Sequence, residues 1–409
     1  MAKMIIGLEP HQLAAQALTD PSLHKDLMLL LSRQTQDNGK LWDGCFGAKQ
    51  TSNTAWHGGW DPNSRVLVPL VISVGLAYKQ WPNEFSSEML ARVLYAIRVE
   101  IDQNRIPVTY TNVSISFAAS CIYLGVHCND EYLLKYGKNL VEEITKDRIT
   151  RGGFHEFGSP TYLGLSLLAA SFIENVTFER YEIVRLISTD LLDNWDSNLL
   201  DFVGTSMRSY GPSVHTHYSL SLLAVNPTKL MKSYNPPYHL ADKSLKGLFD
   251  LVKPYTPENS EKININRNIS GVANLSLNSP SHSVRFGAAN FTTGSWHHQA
   301  VSGSVHVKGG ALMLRKSDIH TSIKNHTLQW YISGEQETGF PQWLWGTLLP
   351  PKLTLSPNRD EVELEGWNIS LIDSTHLKIG SEIFLSSKPI TSVGEKFVIK
   401  GFEGSLTLL

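Results

Sequence analysis

The chain has 409 residues, with 36 Lys+Arg against 38 Asp+Glu and a formal charge of −2. That balance, with no local basic cluster, excludes nucleic acid as the main partner, because binding a phosphate backbone needs a cationic stripe. At 42% hydrophobic and 10% aromatic residues, the composition also excludes a disordered chain and supplies cores for two domains.

Val66–Tyr78 is the longest apolar run. It stops at Lys79, short of the roughly 20 residues that span a bilayer, so no membrane span is expected. The opening MAKMIIGLEPHQ lacks a charged segment followed by a sustained apolar one. The expectation is a cytoplasmic chain as it stands, with a secreted mature form left open. Cys45, Cys121 and Cys128 form neither a metal spacing nor an even framework; Cys121 and Cys128 flank a predicted helix end and are expected as buried thiols, which fits a reducing compartment.

From about residue 10 to 250 the apolar spacing is helical. In Ser86–Gln103, residues Met89, Val93, Leu94, Ile97 and Ile101 recur at three- and four-residue steps. Similar segments are Pro21–Gln36, Ser64–Gln80, Asn112–Leu124, Asp130–Thr145, Thr161–Glu174, Phe178–Trp195 and His215–Ala224, separated by Gly, Pro, Asn and Asp. No strand pattern lies between them. Lys253–Lys262 is polar and proline-rich, the composition of a linker. Beyond it SVRFGAANFTT, AVSGSVHVKGGALMLRK and KFVIKGFEGSLTLL alternate apolar and polar residues between Gly, Asn and Ser turns, the signature of antiparallel strands. The expected fold is an incomplete α/α-toroid of helical hairpins over 1–252, followed by an antiparallel β-sandwich over 263–409. A plain helical bundle is the other arrangement such helices allow.

Four helical-half segments carry chemistry. NTAWHGGWDPNSR places Trp56, His57 and Trp60 around two glycines. Flat aromatic faces there suit sugar rings, and a loop pinned by its two Trp side chains is the plainer alternative. VTYTNVSISFAAS places Asn112 where a loop enters a helix, as ligand group or simple N-cap. RGGFHEFGSPTYLG carries His155, Glu156 and Tyr162, with Ser159 as cap and Pro160 in the first helical turn. A loop before a helix presents acid–base groups from a rigid scaffold, although Glu156 suits a capping role equally. GTSMRSYGPSVHTHYSL offers Arg208, Tyr210 and His215. The planar fork of Arg208 matches a carboxylate, or a surface salt bridge. His215 and His217 are two apart and share no helix face, so no metal is expected. In the β half, His297 and His298 are adjacent. In a strand they face opposite ways, so one of them at most enters a cleft.

The helix-then-sheet order, the stretch from Thr111 to Gly125 and above all HEFGSPTYLG, His155 to Gly164, resemble the toroid polysaccharide lyases of the heparinase II/III-like and alginate-lyase-like group. The resemblance covers most of the chain in outline and about 50 residues in motif detail. It implies β-elimination on a uronic-acid glycan without metal or organic cofactor. Asn112 and Arg208 would neutralise the carboxylate, His155 would be the base, and Tyr162 or Tyr210 base or acid. His297 or His298 would close the site, and Trp56, His57, Trp60, Glu156 and His215 would line it. Neutralising the carboxylate stabilises the enolate-like charge that makes the C5 proton removable. Three rivals stand beside this expectation. They are a biosynthetic cyclase or isomerase acting on an apolar or polyene substrate, a hydrolase pairing Glu156 with Asp61 or Asp201, and a non-catalytic glycan-binding protein.

Overall fold

The computed structural model describes residues 10–36, 39–46, 63–154, 160–193, 195–196, 201–202, 247–248, 250–252, 267–269, 272–278, 283–289, 303–315, 319–332, 360–394 and 396–409. The helical half contains α1 (Pro10–Ala17), α2 (His24–Ser32), α3 (Val68–Ala77), α4 (Asn83–Gln103), α5 (Thr111–Cys128), α6 (Glu131–Arg151), α7 (Pro160–Thr177) and α8 (Glu182–Asp193). A π-helical turn, Asn63–Leu67, leads into α3.

The helices alternate between two kinds. α3 is buried from Val68 to Gly75 and α5 from Thr111 to Gly125, on every side. α4 and α6 bury only a stripe: Met89, Val93, Ala96 and Ile97 on one, Leu133, Leu140, Val141 and Ile144 on the other. A helix apolar all round is internal, whereas a striped one lies at the surface. α3, α5 and α7 therefore form an inner layer and α4, α6 and α8 an outer one, the layering expected of hairpins in a toroid. The α5–α6 hairpin packs closely. A Cβ on Gly125 would stand 2.5 Å from the backbone nitrogen of Leu134, so a larger residue there would push the pair apart.

Helix ends follow local chemistry. Asp130 caps α6 by accepting from the Leu133 amide at 3.1 Å. Asn104 and Asn129, both with positive φ, close α4 and α5. Two boundaries correct the sequence reading. The helix expected over Phe178–Trp195 begins at Glu182, because Phe178 at φ 57° ends α7 and Glu174 Oε1 takes the Tyr181 amide at 2.8 Å. It stops before Trp195, which enters a short ladder of β1 (Trp195–Asp196) and β2 (Asp201–Phe202). The ladder register Trp195↔Phe202 takes the place of a further helical turn. The helix expected over His215–Ala224 lies outside the described residues.

The β half runs β3 (Arg267–Ile269), β4 (Val272–Asn278), β5 (Ser283–Ala289), β6 (Gly303–Val307), β7 (Gly310–Arg315), β8 (Ile319–Lys324) and β9 (Thr327–Ile332). It continues with β10 (Glu361–Trp367), β11 (Ile369–Leu371), β12 (His376–Ile379), β13 (Glu382–Ser386), β14 (Ile390–Val393), β15 (Lys396–Lys400) and β16 (Glu403–Leu408). An eight-stranded sheet has the order β14-β15-β10-β7-β6-β5-β4-β3, and a six-stranded sheet β11-β12-β13-β16-β9-β8. Every described pairing is antiparallel. Val284, Phe286, Val305 and Leu312 of one sheet share a core with Leu328, Trp330, Leu377 and Phe384 of the other. The Phe286 and Phe384 rings meet edge-on, 6.3 Å apart. This is the expected sandwich.

Five residues of β6 in a row are buried. Val305 and Val307 point into the sandwich core, so alternation turns Ser304 and His306 to the other face. His306 pairs across the ladder with Ala311, and Ala311, fully buried, belongs to the core cluster of the helical half. The outer face of the larger sheet thus meets the helical core at Ala311.

At the β11–β12 turn, Asp373 accepts from the amides of Thr375 at 2.7 Å and His376 at 2.8 Å. These bonds, led by the Thr375 amide, hold its carboxyl down at about 2. A depressed carboxylate contributes fully above its unfolded value and loses that contribution as pH falls through the folded one. A carboxyl NMR titration is therefore expected to give a midpoint near 2. A midpoint at the ordinary 3.8 would mean the turn is not formed in solution.

Candidate functional site

The C-terminal ends of the inner helices are tied together by aromatic rings. The ring centroid of Tyr123 on α5 is 5.8 Å from that of Phe172 on α7, and Phe172 is 6.5 Å from Tyr78, the residue that closes α3. Asn175 Nδ2 donates to Tyr78 Oη at 3.1 Å. Because α3, α5 and α7 meet at their C-terminal ends, they run parallel and their N-terminal ends gather at the opposite pole. Asn112 lies eleven residues before Tyr123, and Tyr162 ten before Phe172. At a rise of 1.5 Å per residue these are about 16 and 15 Å, so Asn112 and Tyr162 stand level on neighbouring helices.

Asn112 is buried, 3% exposed, and Tyr162 is half-buried. Asn112 is not the N-cap: that position is Tyr110, without a side-chain bond. Instead, Ser114 Oγ donates to the Pro107 and Tyr110 carbonyls at 2.6 and 2.9 Å and fastens the loop to the helix start. This leaves Asn112 inside the first turn. α7 begins at Pro160, as its motif predicts.

Inner and outer helices differ in the charge of their own first turns. The outer helices carry Glu84, Glu131 and Glu182 in their first turns, whereas α3, α5 and α7 carry no acidic residue there. Each helix N-terminus bears about half a positive charge; the inner ones have no acid in their own first turn, and the acidic group shown beside the starts of α3 and α5 is Glu100, near the C-terminal end of α4.

Two arginines add to the pole. Arg65, fully buried in the π-helical turn before α3, pairs with buried Glu100 of α4. It also donates to the carbonyls of Leu41 at 3.1 Å and Asp43 at 2.8 Å and to Gln103 Oε1 at 2.8 Å. This stitches residues 41–46 to α4, helped by Tyr95 Oη on Asp43 at 2.8 Å. Arg105, in the loop before α5, sends its backbone amide to Glu100 Oε1 at 3.0 Å. Burial first, then the neighbouring Arg65 charge, draws the Arg105 guanidinium below its ordinary value. A third anchor holds the chain before the His155 segment. Buried Asp190 of α8 pairs with Arg148 of α6 and takes the Phe154 amide at 3.3 Å, while Arg148 lies over the Phe154 ring.

Of the predicted site residues, Asn112 and Tyr162 lie among the described residues, in the first turns of α5 and α7. Trp56, His57, Trp60, His155, Glu156, Arg208, Tyr210, His215, His297 and His298 lie outside the described residues. No metal-binding group of three or more His, Cys, Asp or Glu occurs among the described residues, and none of their helices is long and apolar enough to cross a membrane. Sequence reading passed over Arg105 and His306. The run SVHV signalled an alternating strand, but which of its faces is covered is a tertiary fact.

A family model described as a domain of unknown function, DUF8769, matches residues 33–249. The chain belongs to the DUF8769 family. The matched span takes in α3 to α8, and so the whole pole that carries Asn112 and Tyr162. No curated protein matches this DUF8769 chain in sequence. Among solved structures it is similar to heparinase III, with a TM-score of 0.48 and 9% identity over 97% of this chain and 75% of that one. It is also similar to a Streptomyces coelicolor A3 chondroitin AC lyase in complex with chondroitin sulphate, at 0.43 and 9% over 97% and 74%. The fold described above rests on the DUF8769 chain's own helix pairs and ladders.

Proposed function

We propose that this chain is a lyase-like enzyme that cleaves a uronic-acid glycan by β-elimination, with a helical toroid domain over 1–252 and a β-sandwich domain over 263–409. The observation that carries the reading is the inner-helix pole. Three parallel N-termini with no acidic residue in their own first turns stand there, with a buried amide and a half-buried phenol at one level and with Glu100 already paired to Arg65. Such a pole favours an anion, and a uronate carboxylate is the group whose neutralisation makes the C5 proton acidic. In this reading Asn112 and Arg208 hold the carboxylate and His155 removes the proton. Tyr162 or Tyr210 protonates the departing O4 or shares the base role. Trp56, His57, Trp60, Glu156 and His215 line the sugar path. From the sheet, His297 or His298 closes the site. His306 joins them as a candidate because it lies on the face that meets the helical core at Ala311. The chemistry calls for no metal or organic cofactor.

The test is a panel of uronate-containing glycans incubated with the full chain and followed in the near ultraviolet. β-Elimination leaves an unsaturated uronide, so absorbance should rise with the number of cuts. New reducing ends without that absorbance would replace the lyase by a hydrolase. Binding without any product would leave a glycan-binding protein.

A further inference from the structure

Arg105 has a structural oddity that the pole's stability does not account for. Its Nη1 is shut off from water and has no hydrogen-bond partner among the described residues, although the side chain as a whole is only half-buried. A buried donor without an acceptor is costly, and more so on a charged group. The carboxylate within reach is already committed: Glu100 takes Arg65 on one oxygen and the Arg105 amide on the other. Arg65 adds a second positive charge close by. The arginine thus sits beside one carboxylate and one other guanidinium group, in the loop that delivers the chain to Asn112.

We propose that Arg105 is an anion-binding residue of this pole, which turns its guanidinium onto the carboxylate or sulfate ester of an acidic sugar. Reorienting the side chain toward its open side exchanges an orphaned nitrogen for charge-assisted hydrogen bonds, which are the strong ones. The proposal rests on the pole reading above and adds to it the residue that selects an acidic over a neutral sugar.

Calorimetric titration of the full chain with glucuronate, inorganic sulfate and glucose separates the cases. Glucuronate and sulfate should bind and glucose should not, and whichever of the first two binds more tightly names the group. Arg105→Gln should weaken anion binding about tenfold or more, the equivalent of one charged hydrogen bond. Unchanged affinity in a variant that melts normally overturns the proposal. Should that variant fail to fold, the wild-type chain gives the answer. Its Arg105 Nε–H NMR resonance, assigned by its loss in Arg105→Lys, should move on adding the anion, and a still resonance at saturation overturns the proposal.

Failure here and failure of the lyase reading are distinct. Anion binding through Arg105 with no unsaturated product from any glycan removes the reaction and keeps the site. Cleavage by Arg105→Gln with unchanged KM removes the site and keeps the reaction.

Discussion

Replacing Glu100 with glutamine is expected to lower folding stability by about 3–5 kcal/mol, the usual cost of removing one partner from a buried ion pair. Arg65 is fully buried and Glu100 is 1% exposed, and an arginine cannot shed its charge. The variant keeps the guanidinium's bonds to Leu41, Asp43 and Gln103 but strands its charge. Urea unfolding followed by the helical circular-dichroism signal measures the loss. Replacing both partners by methionine should recover most of it, because two apolar side chains of similar volume leave nothing uncompensated. A loss below about 1 kcal/mol for Glu100→Gln would place the pair in the weak class of solvent-screened ion pairs and contradict its burial.

The second large effect concerns chemistry. Tyr162→Phe removes one oxygen from a half-buried residue on the first turn of α7, and its fold should melt as the wild type does. If Tyr162 transfers a proton in the elimination, kcat should fall by about 10²–10⁴ with little change in KM. His155→Ala should fall as far. Asn112→Ala should instead raise KM and lower kcat together, because a carboxylate-holding amide acts in both the ground and the transition state. Wild-type rates in both Tyr162→Phe and His155→Ala on a true substrate would remove these residues from the mechanism.

The fold was legible where local pattern decided it. The amphipathic stripe of α4 and the Pro160 start of α7 were visible in sequence, and so were the alternating strands. Helix ends were less so. Phe178 closes α7 in a left-handed conformation that favours Asn or Gly, not Phe, and Trp195 enters a strand ladder in place of another helical turn. Asn112 looked like a cap because asparagine commonly is one. Only the Ser114 bonds to Pro107 and Tyr110 show why the cap falls two residues earlier. The level placement of Asn112 and Tyr162 could not be read in advance, since it depends on the ring contacts of Tyr78, Tyr123 and Phe172 at the far end of the layer. Arg105 and His306 were invisible for a related reason. Each matters through a neighbour distant in the chain, Arg65 for one and the helical core around Ala311 for the other.

Strand β6 has neighbours on both sides, hydrophobic residues of the sandwich on one and the helical core reached through Ala311 on the other. Neither half can therefore detach without wetting a surface built to stay dry. Heat that loosens the sandwich also uncovers helices, so the chain should melt in one event, and a break in the backbone between the halves should leave the two fragments clasped together.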